Sequence, residues 1–144
     1  MKCSWKCPSV DTNILKLKGI KMKPTLATTY LLVFPLISSL YFGIYLHVGL
    51  IFFSMIFSLK YHGPNGKKWE IPDSVFAVLL FFYNLYLLFL IKTKLEFSIP
   101  ILLITLISFA LWHREESNYQ LNHSVWHVLI ITGTFLCSLG YGLF

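Results

Sequence analysis

Charge is what this chain has least of. Asp, Glu, Lys and Arg make up 12% of its 144 residues, against about 25% in soluble domains, and the mean hydropathy is +0.69. That leaves too little polar sequence to clothe a soluble globule, and no room for a separate soluble domain. Acids are scarcest, at six against twelve Lys and Arg. The basic excess does not indicate nucleic acid, because the lysines flank hydrophobic runs and form no extended basic surface; they read as orientation signals. Cysteine is also sparse. Cys3-x-x-x-Cys7 matches zinc-ribbon spacing poorly and Cys137 falls within a hydrophobic run, so no catalytic role is expected of them. No phosphate loop, soluble catalytic triad, internal repeat or low-complexity tract is visible. A cleavable signal peptide is not expected either, since the apolar run begins only near Thr25 and is too long for an h-region.

What the chain does have is long uncharged stretches. Residues 1–24 hold six lysines against one acid, Asp11, and read as a basic cytosolic arm. From Pro24 to Leu59 no residue is formally charged. As one helix that stretch would run about 54 Å, far beyond a hydrocarbon core of about 30 Å. It divides into two spans, 26–44 and 47–62, with a turn near Gly43 to Gly49. A Gly- and Pro-rich loop follows, ending at Pro72, and Asp73-Ser74 reads as the N-cap of a third span over 74–91. A fourth covers 97–112, with Pro100 in its first turn, and a fifth 121–142. The fold expected is therefore all-α: a polytopic transmembrane bundle of about five spans, forming one domain over residues 25–144. Ten of the twelve Lys and Arg then share one face with the amino terminus, leaving only Lys92 and Lys94 opposite. The positive-inside rule places that basic face in the cytosol.

This topology gathers polar residues at the cytosolic level. His62 ends the second span, with Ser58 one turn before it. Asp73 opens the third span, and His123 and His127, four residues apart, share one face at the head of the fifth. Ionisable groups in a membrane segment are costly and default to a functional role. Three imidazoles near a carboxylate suit zinc, bound through three nitrogens at about 2.0–2.1 Å with a fourth position open. Such a site suits hydrolysis of an amide or ester.

Ser58-Leu59-Lys60-Tyr61-His62, then Asp73, then His123-Ser124-Val125-Trp126-His127 resembles the pattern of the CREST superfamily. That group takes in alkaline ceramidases, progestin and adiponectin receptors, lipid-remodelling proteins of GPI-anchor maturation and myomaker-like proteins. The wording His-Ser-Val-Trp-His is most similar to the myomaker and GPI phospholipase branch. The resemblance implies that His62, His123 and His127 bind Zn2+, and that Asp73 and Ser58 orient water and substrate carbonyl or stabilise an oxyanion. It implies an integral-membrane hydrolase of a lipid amide or ester. Its family has seven spans where five are counted here. The loss of two preserves the sidedness of the motif but removes walls from a lipid cavity, which raises two further readings: a non-catalytic relative with structural zinc, and a homo-oligomer that completes the cavity. A haem-anchoring subunit ligated by His62 and His127 is a third function class, and it leaves Ser58 and Asp73 unexplained. Outside the pattern, His47 and His113 read as interfacial, Trp126 as facing away from the His pair, and Glu115-Glu116 as a solvated loop. Asn84 and Tyr83 read as interhelical hydrogen-bond formers.

Overall fold

The computed structural model describes residues 24–63, 66–92, 94–112 and 119–143. The basic arm with Cys3 and Cys7, and the loop carrying His113, Arg114, Glu115 and Glu116, lie outside them. The described residues are all-helical, with no strand among them. Six helices follow in order: α1 (Pro24–Thr29), α2 (Val33–Tyr41), α3 (Tyr45–His62), α4 (Glu70–Leu90), α5 (Leu95–Trp112) and α6 (Tyr119–Gly142).

The first uncharged stretch is broken where a break was expected, over Phe42–Ile44, but the break is shorter and Gly49 lies inside α3. Gly43 makes the corner with φ 70°, a left-handed conformation that costs a residue without a Cβ nothing. The segment before it is not one helix. Pro35 removes the amide that would bond the Leu31 carbonyl, and the chain tightens into a 3-10 turn over Tyr30–Leu32. Two further boundaries correct the sequence reading. A 3-10 turn over Gly66–Trp69 leads straight into α4, so the helix begins at Glu70 and Asp73 is its fourth residue, not its N-cap. Pro72 does not delay the start, because an amide in the first turn has no intrahelical partner to lose. Similarly, α5 begins at Leu95 and carries Pro100 one turn in, beyond its first turn.

Helix α6 is the spine. It packs on α1, α2, α4 and α5, while α3 packs on α1, α2 and α4. Leu32, Ile51, Leu80 and Ile131 form one apolar cluster where these helices converge, and Ile44, Leu87, Ile91, Ile101 and Cys137 form a second. At the far end, Gly142 clears space for the Phe42 ring, which a Cβ there would overlap. Lys94 donates to the Leu143 carbonyl at 2.6 Å, meeting a backbone acceptor left over where α6 ends.

The partition of side chains is inverted relative to a water-soluble protein. Among the described residues the buried set holds more Ser, Thr and His than aliphatic side chains. Phe34, Ile37, Leu40, Phe82 and Phe89 meanwhile stand outward, each more than half exposed. The helices Gly66–Leu90 and Leu121–Gly142 are long and apolar enough to cross a membrane, and Thr25–Tyr41 and Leu95–Leu111 are shorter apolar helices.

A candidate metal centre of three histidines

Helix α6 carries His123 and His127 one turn apart, with their Nε2 atoms 3.1 Å from each other. His62, the last residue of α3, brings its ring edge-on to both, at centroid separations of 5.2 and 5.3 Å. One ligand nitrogen from each of the three lies within 4.8 Å of the others. His62 and His127 are buried and His123 is half-buried. Three nitrogens bound tetrahedrally at about 2.0–2.1 Å would stand about 3.4 Å apart. The His123–His127 pair already has that spacing, and the widest gap closes by roughly 1.4 Å, within the reach of imidazole rotation about its side-chain torsions. The donor set therefore fits one metal ion. Imidazole alone suits zinc, copper, iron or nickel, so the nitrogens do not select the metal.

The other two predicted residues are placed differently. Ser58 is buried one turn before His62, and its Oγ lies 3.2 Å from Thr29 Oγ1. Thr29 spends its single proton on the Thr25 carbonyl at 2.9 Å, so Ser58 must be the donor to Thr29. Its one proton is thus directed at Thr29 on α1. Asp73 sits half-buried in the first turn of α4 and forms no hydrogen bond or ion pair with a described residue.

Trp126 does not face away. Its indole stacks on His123 at 5.8 Å and meets His127 edge-on at 5.6 Å. Helical side chains lean towards the amino terminus, so a residue at i+3 falls back over residue i. The tryptophan therefore walls one side of the imidazole pair.

A second polar centre was not anticipated. His47 is fully buried, not interfacial. Its Nδ1 lies 3.0 Å from Ser39 Oγ, which is 2.8 Å from Ser138 Oγ. Its Nε2 lies 3.0 Å from Asn84 Oδ1, and Asn84 Nδ2 donates to Thr134 Oγ1 at 2.9 Å. One network thus joins α2, α3, α4 and α6. Asn84 bridges helices as expected, whereas Tyr83 contributes its ring, tilted against His47 at 5.3 Å. The cost of ionisable groups in apolar segments was invoked for His123 and His127, and it applied equally to His47. Cys137 is buried beside this network, its thiol directed at the Asn84 carbonyl.

Two recesses are formed elsewhere. One, of about 20 Å³, lies between α4, α5 and α6 and is lined in part by Asn84, Thr105 and Thr134. The other, of about 310 Å³, opens beside Lys60 and Trp69. Neither is lined by the three histidines. No family model, curated protein or solved structure matches this chain.

Proposed function

We propose that the chain is a multi-pass membrane protein of about five crossings, with its amino terminus and its three-histidine centre on the cytosolic side. We further propose that this centre binds zinc and serves hydrolysis of a lipid amide or ester, the activity implied by the resemblance to the CREST superfamily. The observation that carries the reading is the convergence of His62, His123 and His127 from two helices far apart in sequence onto one point. The membrane assignment draws on the inverted partition of side chains. In water the exposed aromatic and aliphatic side chains would form an apolar surface far larger than a soluble monomer carries; in lipid they face a solvent of their own kind, while Ser, Thr and His hold the helices together.

In this reading His62, His123 and His127 hold the metal, and Trp126 excludes water from one flank of the imidazole pair. Zinc bound there supplies Lewis acidity for polarising a carbonyl and activating water. Asp73 takes or positions a proton from the α4 side. Ser58 donates to the substrate carbonyl only after giving up its bond to the Thr29 hydroxyl, exchanging one neutral oxygen acceptor for another. The mutual edge-to-face contact of the three imidazoles favours a single ion over a haem, since it leaves no slot for a macrocycle between His62 and His127.

The first experiment is metal analysis of detergent-purified protein by mass spectrometry, wild type beside His127→Ala. About one zinc per chain, lost in the variant, supports the centre; a folded wild type without zinc refutes it. A second reading is that zinc is structural and the protein non-enzymatic. It is favoured by the engagement of Ser58 with Thr29 and by the position of the two recesses. Lipid turnover that needs both the metal and Asp73 separates the two.

A further inference from the structure

The outer surface of α3, opposite His62, carries chemistry that the metal centre does not use. Lys60 projects from the last turn of α3, and its Nζ sits 4.1 Å from the centre of the Trp69 ring. Lys68 also reaches this ring, its Nζ 5.6 Å from the centre. Two ammonium groups are thus held against one indole, each attracted by its π-face. Lys60 and Trp69, with Leu59 and Gly63, line an open recess of about 310 Å³, and Lys68 meets it through the shared indole. Among the described residues no carboxylate pairs with Lys60, Lys67 or Lys68. Two like charges gathered on one ring with no counter-ion repel each other, and an anion seated between them would remove that cost.

The apolar side of the recess continues as an unbroken run of rings. Trp69 lies 5.9 Å from Phe57, Phe57 5.0 Å from Phe76, and Phe76 5.3 Å from Phe53. Phe53 stands outward and is nearly half exposed. The run descends from the end of α3 along the seam between α3 and α4, away from the lysines. A cationic recess at one end and an aromatic track at the other match the two parts of a single amphiphile.

We propose that this surface binds one anionic phospholipid, with its phosphate at Lys60 and Lys68 and an acyl chain along Phe57, Phe76 and Phe53. The site rests on the membrane reading alone and is independent of zinc and of catalysis. Because His62 and Lys60 lie two residues apart on opposite faces of α3, the lipid is bound beside the metal centre without entering it. A zwitterionic phospholipid is a poorer occupant, since its quaternary amine would bring a third cation to the two lysines.

The test is native mass spectrometry of the full chain in mild detergent, with equimolar phosphatidylglycerol and phosphatidylcholine of matched chains. The wild type is expected to retain phosphatidylglycerol preferentially. Lys60→Gln and Lys68→Gln should each reduce that preference about fivefold, the effect of one interfacial cation. Lys67→Gln, whose side chain is not against the indole, should reduce it less. All three side chains are exposed, so the variants fold, and helical circular dichroism confirms it. Equal retention of the two lipids by the wild type overturns the site. So do equal losses in all three lysine variants, which would show a diffuse cloud of charge. A chain that stays soluble and monomeric without detergent refutes the membrane reading itself, an outcome distinct from either.

Discussion

Replacing Asn84 with leucine should destabilise the bundle well beyond what a single amide ordinarily contributes. Asn84 makes two interhelical hydrogen bonds, to His47 at 3.0 Å and to Thr134 at 2.9 Å, and so links α4 to α3 and to α6. Such bonds in membrane proteins average about 0.6 kcal/mol and reach about 1.7, so the pair supplies roughly 1–3 kcal/mol. The variant also leaves the His47 Nε2 buried without its partner, at a further cost of about 1–3 kcal/mol. Leucine keeps the branched shape of asparagine and is larger, so no cavity opens. The expected loss is roughly 2–6 kcal/mol, about half of it the penalty on the orphaned imidazole. Unfolding of reconstituted protein by a denaturing detergent, followed by helical circular dichroism, measures it. Phe82→Leu, at an outward, largely exposed position on the same helix, is the control and should change stability little. A double-mutant cycle of Asn84→Leu with His47→Leu should return a coupling of about 1 kcal/mol or more, because the two residues share one bond. An Asn84→Leu protein within about 0.5 kcal/mol of wild type, the usual range for an innocuous surface change, would refute the network.

Four other outcomes are expected. If the three-histidine centre holds an ion, chelation should lower the melting temperature of the wild type and leave His127→Ala unmoved; equal shifts would mean the chelator acts elsewhere. Gly142→Ala should cost about 1–3 kcal/mol by driving a Cβ into the Phe42 ring, and Phe42→Ala should restore part of it in the double variant; additive losses would count against that contact. If Ser58 donates to substrate, Ser58→Ala should lower lipid turnover on the order of a hundredfold, the effect of losing one oxyanion donor. Thr29→Val, which only releases the Ser58 proton, should not lower turnover, and matched losses in the two variants would assign Ser58 a purely structural role. Finally, Lys67→Cys and Lys92→Cys should react with a membrane-impermeant thiol reagent from opposite sides of sealed vesicles; labelling from one side would refute the topology.

The helical content and the composition of the three-histidine centre were readable from the chain before folding. Uncharged runs of this length have no good outlet but helices that satisfy their own backbone, and the corner near Gly43 was marked by glycine's freedom at positive φ. His123 and His127 had to share a face because four residues make nearly one helical turn. That His62 would join them was expected from a count of five crossings; what the structure shows is His62, at the end of α3, beside the two histidines of α6. What periodicity could not supply was rotation about each helix axis. Nearly every residue in these segments is apolar, so no polar stripe declared which face turns inward; that was decided by α6 packing on four neighbours at once. His47 looked like a residue at a helix end, and became the buried hub of a network only because Ser39, Asn84 and Ser138 arrive from three other helices. Asp73 looked like a cap, and became the fourth residue of α4 because a proline in a first turn does not stop a helix from starting upstream. Ser58 lies one turn before His62 in α3, and the direction of its proton is set by Thr29, a partner on another helix. Local spacing determined which residues travel together on one element. Only tertiary packing decided what they meet, because each of those contacts depends on how several uniformly apolar helices are turned against one another.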